Sequence, residues 1–349
     1  MTTPQSVPPG ESGFQLSRGT VFPLVGGRST WAQEHLLPAL ATVAVALVLM
    51  AVFNPAATGK DETAQAWQMY LDLGIYIAFI VNYYINQMCG RPKRLWALAA
   101  VALFTTLLMA TPLWSAWYYF FYTVIPGTQW EKSSDGAVQF AGFFFGTALS
   151  EESFKALPLL TLALAGAALA FVARRSKGRL GRLSAFLNRQ LGLREPRDGI
   201  VFGVASGSGF FMNETLGQYV PDIMGTAKYA GGQAFDGMVV LLSRGLPEMA
   251  EHSAWAGLFG YFIGLSVLRP GRAFLLLPLG WLSAAALHGA WDGFGTVFDN
   301  GLIVLGAWLV IGVLSYALLG GALFKAREFA PAVGTQVAAV PAEIVDDSG

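Results

Sequence analysis

The chain has 349 residues, enough for two or three soluble domains, but 54% of them are hydrophobic and only 13% charged. An average soluble domain carries about 25% charged residues, so this composition excludes a set of ordinary soluble domains. The net charge of zero leaves no electrostatic case for nucleic acid, and the single cysteine, Cys89, excludes an internal disulfide framework and any multi-cysteine metal site.

Several apolar stretches reach the roughly 20 residues that a helix needs to cross a bilayer. The expected fold is all-α: a polytopic helical membrane protein with about eight transmembrane helices. Residues 1–34 are polar and rich in Gly, Pro and Ser, and read as a disordered cytoplasmic segment without a cleaved signal peptide. The first span is expected at about Leu36–Phe53, with His35 a surface residue just before it. The second, about Met69–Met88, carries Asp72 near its start, an interfacial position, and ends in a basic turn that includes Arg91, Lys93 and Arg94. The third, about Leu95–Trp114, leads into Trp114–Tyr122, dense enough in aromatic residues to read as an interfacial belt.

Gly136–Ala173 is too long for one ordinary span, since its 38 residues would reach about 57 Å as a helix. Counting back about 20 residues from Arg174 puts the outer boundary near Glu152–Phe154. Val138–Leu149 then lies along the interface, re-enters, or extends the helix outward. Arg174–Arg197, with eight Lys/Arg, reads as a basic linker holding a short amphipathic surface helix. The fifth span, about Gly199–Tyr219, contains glycines suited to close helix packing. The polar stretch Val220–Gly237 follows, then spans at about Leu246–Leu268, Phe274–Phe294 and Leu302–Phe324. The helical membrane domain is thus expected over 35–325, and 326–349 as a disordered cytoplasmic tail. Both termini, the 89–94 turn, the 174–197 linker and the 269–272 turn together hold seventeen Lys/Arg against four on the opposite side. By the positive-inside rule this puts both termini in the cytoplasm.

The polar residues inside these spans carry the functional argument, because an ionisable group at membrane depth is costly and persists mainly where it is paired or used. Ser150–Pro158 places Glu151 and Glu152 beside each other and Lys155 one turn on, between two apolar runs. Later spans add Glu214, His252, His288 and Asp292, the last two four residues apart on one helix face. With the spans alternating in direction, four of them deliver these groups to one layer in the outer half of the membrane. Glu248 and Glu251 are expected at the water boundary in structural roles. The chemistry that fits the cluster is hydrolysis by activated water, with a carboxylate as general base and a second group orienting the water or stabilising the oxyanion. Two histidines plus carboxylates could complete a zinc shell with an open position, or could act without metal; spacing does not choose between these. No serine sits in a nucleophile elbow, and Cys89 falls on the cytoplasmic side, away from the layer.

Glu-Glu-x-x-Lys (Glu151, Glu152, Lys155), Phe-x-x-x-Glu (Phe210, Glu214), a histidine leading a glycine-spaced helix (His252) and His-x-x-x-Asp (His288, Asp292) occur in that order. Over about Gly136–Phe294 this set resembles the PrsW family of intramembrane proteases, within the wider superfamily of CAAX-type prenyl endopeptidases and bacteriocin-processing membrane proteins. The protease-like core is accordingly expected over 136–296. The resemblance implies peptide-bond hydrolysis by a glutamate-type or metal-dependent protease. Glu151 and Glu152 would be the water-activating pair, His252 and His288 their partners, and Glu214 a further site carboxylate. Glu214, His252 and His288 are the implied metal ligands if zinc is used, and Lys155 and Asp292 supporting residues. It also implies a single-span, membrane-anchored protein substrate, such as an anti-sigma factor, cut near the extracytoplasmic face of the plasma membrane. The competing readings are a membrane scaffold that uses the polar groups to tie helices together, and a transporter that uses them as an ion path. The second lacks the paired repeats such folds show.

Overall fold

The computed structural model describes residues 62–90, 93–125, 127–215, 217 and 246–328, all within one compact unit, Lys60–Gly349. The expected first span at 36–53, the polar stretch at 220–237, both terminal segments up to 34 and beyond 328, and the side chains of Asp72 and Glu248 lie outside the described residues. Every element among the described residues is helical. In order they are α1 (Glu62–Met88), α2 (Leu95–Met109), α3 (Pro112–Tyr119), α4 (Gly127–Glu131), α5 (Gly136–Gly142), α6 (Leu149–Arg175), α7 (Gly178–Leu191), α8 (Pro196–Glu214), α9 (Leu246–Leu268), α10 (Ala273–Val297) and α11 (Gly301–Glu328). Among the described residues three helical stretches are long and apolar enough to cross a membrane: 136–175, 270–297 and 301–327. Leu95–Met109 with Pro112–Val124 makes a fourth if that bent pair counts as one span. The protein is an integral membrane protein.

The third span departs from the sequence reading. Its helix stops at Met109 and restarts at Pro112 with a bend of 66°. Pro112 has no amide proton to continue the ladder and drives Thr111 into extended backbone (φ −98°, ψ 161°). The bend turns part of the expected interfacial belt inward: Trp114 and Trp117 pack edge-on to the buried Phe154, 4.8 and 6.2 Å away, and Trp117 Nε1 donates to the Ser150 carbonyl. Residues 138–149 run on into α6 as one helical stretch, 136–175. Asp135 caps α5 by accepting from the Ala137 and Val138 amides, and a π-helical stretch, Phe143–Ala148, joins α5 to α6 directly above the glutamate pair. The linker after α6 folds into α7, whose Leu180 and Leu183 are exposed beside Arg179 and Arg182. That pairing of apolar and basic residues suits a membrane surface.

At the centre stands α8, buried at every residue from Pro196 to Phe211. Its glycines explain how. Gly199, Gly203 and Gly207 form one stripe at four-residue spacing, pressed against the backbone of Gly260, Ala256 and His252 on α9. A Cβ at Gly203 would collide with the Ala256 carbonyl, so only glycine permits this approach. On the opposite side Gly209 meets Ala102 of α2 in the same way. Gly203→Val should therefore pry α8 from α9. Overpacking costs about 1–3 kcal/mol, which for a chain of this size lowers the thermal midpoint by roughly 1–4 °C in a detergent melt.

Hydroxyls and amides tie α8 to its neighbours. Asn82 Nδ2 donates to Ser208 Oγ at 2.8 Å, Ser208 and Ser253 share a proton at 3.1 Å, and Ser206 Oγ donates to the Lys155 carbonyl at 2.7 Å. At the other end Asp198, in the first turn of α8, pairs with Lys93 at 2.7 Å and accepts from the Arg194 amide. A carboxylate there also complements the helix dipole. Burial pulls the Lys93 ammonium below its ordinary range, which the Asp198 charge opposes. Cys89 is buried here too, and burial pushes its thiol up to about 12, so it is inert.

Candidate functional site

The residues that the sequence singles out converge from four helices. α6 supplies Glu151, Glu152 and Lys155, α8 supplies Glu214, α9 supplies His252, and α10 supplies His288 and Asp292. Glu152 is completely buried, and its Oε1 accepts from Lys155 Nζ at 2.7 Å and lies 2.9 Å from His288 Nδ1. Lys155 reaches across to His252 Nδ1 at 2.6 Å, sits 3.5 Å from Glu151 Oε2, and lies 4.5 Å above the Phe210 ring. His252 Nε2 faces Glu214 Oε2 at 3.2 Å. His288 Nε2 faces Asp292 Oδ2 at 3.2 Å and Glu151 Oε2 at 3.7 Å.

These contacts assign the protons. An ammonium can only donate, so His252 Nδ1 accepts from Lys155, and its Nε2–H points at Glu214. His288 is different, because both ring nitrogens face carboxylates, whereas a neutral imidazole has only one N–H. With Nδ1–H directed to Glu152, the Nε2 lone pair would confront two further carboxylate oxygens. Three things relieve that contact: a second proton on His288, a proton held by one of the facing carboxyl groups, or a bound metal.

The two neighbouring glutamates have separate surroundings. Glu152 is enclosed and engaged by Lys155 and His288. Glu151 opens onto a cavity of about 1180 Å³, and its buried Oε2 accepts no hydrogen bond. The cavity runs from Tyr118 and Tyr122 of the bent α3 region past Glu151, Glu214, His252 and His288 to Trp308 and Tyr316 of α11. On its α3 side, Tyr122 shares a hydrogen bond with Thr147, which donates to Glu131.

The donor set would suit a divalent cation if the His252 proton moved from Nε2 to Nδ1 and Lys155 turned from that nitrogen to the glutamates. Ligand atoms of Glu151, His252 and His288 lie within 4.8 Å of one another. Four carboxylates against one ammonium leave a formal charge of −3 when both imidazoles are neutral. The hydrogen bond between Glu152 and His288 Nδ1 is the support that a metal-bound histidine commonly has. The triad differs from the ligand set implied by resemblance, with Glu151 taking the place of Glu214.

Some site residues were not visible in the sequence reading. Trp255 stacks on His288 with centroids 4.4 Å apart and planes 18° apart, and it meets His252 edge-on at 5.4 Å. Its place three residues after His252, on the same helix face, was the available signal. Glu251 is a correction: expected at the water boundary, it is only 3% exposed and lines the cavity. α11 packs over this face of α9, with Gly312 directly against the Glu251 carboxylate.

Charged groups buried among apolar helices and opening onto a cavity define a membrane protein with a polar site inside its helical bundle. The family comparison makes it specific, for the model of the PrsW family intramembrane metalloproteases matches residues 93–319, about two thirds of the chain. The chain belongs to that family, and its class of substrate is a protein in a membrane. The match starts well ahead of Gly136, where the motif resemblance begins, and takes in α2 and α3, whose Met109, Trp114 and Tyr118 line the cavity. No curated protein and no solved structure matches the chain.

Proposed function

We propose that Glu151, His252 and His288 form the reactive centre of an endopeptidase that cuts a single-span, membrane-anchored protein near the extracytoplasmic side. The observation that carries this reading is the hydrogen-bond-free Oε2 of Glu151, facing the cavity within 3.7 Å of His288. Glu151 Oε2 accepts a proton from a water in the cavity and returns it to the leaving amide nitrogen. Protonated His288, held by Glu152 and Asp292, presents positive charge to the oxyanion that forms on the scissile carbonyl. Lys155 balances Glu152 and directs the Nε2–H of His252 toward Glu214, which keeps that pair in fixed register beside the water. A divalent cation bound by Glu151, His252 and His288 would supply a more acidic water and a polarised carbonyl at the same place.

The depth of the cut follows from α6. From Glu151 to Arg174 the helix advances roughly 35 Å, about one hydrocarbon thickness, and it ends in Arg174 and Arg175. With the basic end cytoplasmic, the site belongs to the outer side of the plasma membrane. Eight spans with both termini cytoplasmic fit this arrangement; α8 and α9 count among them although the charges of the site make them too polar to be recognised by apolarity alone. A cut on that side suits release of a membrane-bound anti-sigma factor.

The test is cleavage in reconstituted membranes. Wild type, Glu152→Gln and His288→Ala are incubated with single-span substrates, with and without a chelator. Wild type alone should cut, near the outer end of the span, and loss of cutting on chelation with recovery on added zinc would assign the metal. If nothing is cut and both variants melt early, the polar cluster is a structural tie and the protease assignment fails.

A further inference from the structure

Among the described residues, Glu251 is the one carboxylate of the cavity wall that takes no part in the cluster. It follows the face of α9 that turns to α11, whereas His252, the next residue, turns to α6 and α10. Its side chain is buried, its Oε2 accepts no hydrogen bond, and no lysine, arginine or histidine among the described residues pairs with it. Ser315 hydrogen-bonds to the carboxylate and also meets the Ile311 carbonyl, so one neutral hydroxyl is what this wall offers the charge. A buried carboxylate without a cation is costly unless something arrives to complete it.

What surrounds it indicates the missing partner. A Cβ built on Gly312 would stand 2.8 Å from Glu251 Oε1, so the carboxylate rests directly over that glycine. Trp308 and Tyr316 lie four residues before and after Gly312, one turn to either side on the same face of α11, and both line the cavity. Trp291 stacks on Trp308 at 5.6 Å. A carboxylate flanked by aromatic faces, in a cavity otherwise apolar on this side, is complementary to an elongated cation with an apolar stem. Lysine and arginine side chains have that form. The reacting groups open into the same cavity, so a substrate chain that reaches Glu151 passes within side-chain reach of this wall.

We propose that Glu251 is a specificity subsite that takes a lysine or arginine side chain of the substrate close to the scissile bond. The assignment rests on the protease reading for its substrate, but not for its binding chemistry. Gly312 is part of the subsite, because any larger residue there would displace the carboxylate.

The experiment uses the full chain in phosphatidylglycerol vesicles, which hold no amine headgroup that could fill the subsite in place of a side chain. Dansyl-labelled single-span peptides carry lysine, arginine or norleucine at each position along the outer half of the span. Norleucine keeps the stem and removes the charge. Binding is read on ice before turnover, and cleavage is read separately as KM and kcat. At one position wild type should bind the lysine and arginine peptides about tenfold more tightly than the norleucine peptide, the scale of one charge-assisted hydrogen bond. Glu251→Gln should bring that ratio close to one, with the change in KM rather than kcat. Gly312→Ala should lower the same ratio while the charge is retained, so the test survives if Glu251→Gln folds poorly. An equal ratio in wild type and both variants overturns the subsite. Charge-dependent binding without any cleavage would sustain the subsite and sink the protease reading, whereas cleavage without a charge preference would do the reverse.

Discussion

Glu151→Gln should abolish cleavage while leaving the protein folded. Glutamine keeps the shape of the side chain but cannot take a proton from water, and general-base catalysis is worth about 10²–10⁴ in rate. The expected loss in kcat is at least about 10³-fold, measured in vesicles with a substrate that wild type cuts. Stability should change little, because Glu151 Oε2 accepts no hydrogen bond that the substitution would remove. One buried negative charge also leaves a cluster that already has too many. The thermal midpoint in detergent is thus expected within a few degrees of wild type. Elemental analysis of the same two samples separates the possible roles of Glu151. Metal bound to wild type and absent from the variant makes it a ligand; fully active, metal-free wild type makes it the base. Residual cutting above a tenth of wild type would remove Glu151 from the centre altogether.

The sequence shows some of this architecture plainly. Apolar runs mark α6, α10 and α11 closely, and the glycines at 199, 203 and 207 announce a helix face that touches another backbone. Within the site, the pairs that belong to one helix turn are readable: Lys155 lies 3.5 Å from Glu151, four residues away, and His288 lies 3.2 Å from Asp292 at the same spacing. The pairs that join helices are not. Nothing local says that His288 turns its Nδ1 to Glu152, 136 residues earlier, or that Lys155 reaches His252. Nor does local sequence separate the roles of Glu151 and Glu152. Adjacent residues on a helix point about 100° apart, so one faces the cavity and the other the core according to how α6 is rotated against α8 and α10. Glu251 shows the same limit from the other direction. Its distance from the span start suggests water, and only the packing of α11 across it reveals a buried wall.

Lys155→Met should be the most damaging substitution for stability, and a second change should repair the fold without restoring activity. Lys155 Nζ is within 2.7 Å of both Glu152 and His252, and the side chain is 1% exposed. It is the only cation of fixed charge in the cluster, since the imidazoles can be neutral. Methionine fills the space and keeps the contact with Phe210, but it removes the nearer of Glu152's two counter-charges and leaves only His288, which Asp292 and Glu151 also claim. Breaking a buried pair by removing one partner costs about 3–5 kcal/mol, which for a chain of this size is a fall in midpoint of roughly 4–7 °C. Lys155→Met combined with Glu152→Gln removes the charge that was stranded, and replacing both members of a buried pair is often neutral. The double variant should therefore regain most of the lost midpoint. It should not regain cleavage, because Glu152 no longer holds His288 with a full charge and His252 has lost the donor that sets its tautomer. Recovery of activity along with the midpoint would mean that Lys155 and Glu152 serve only to hold α6 in place. A single variant as stable as wild type would mean that another cation neutralises Glu152, and the charge assignment of the cluster would have to be redrawn.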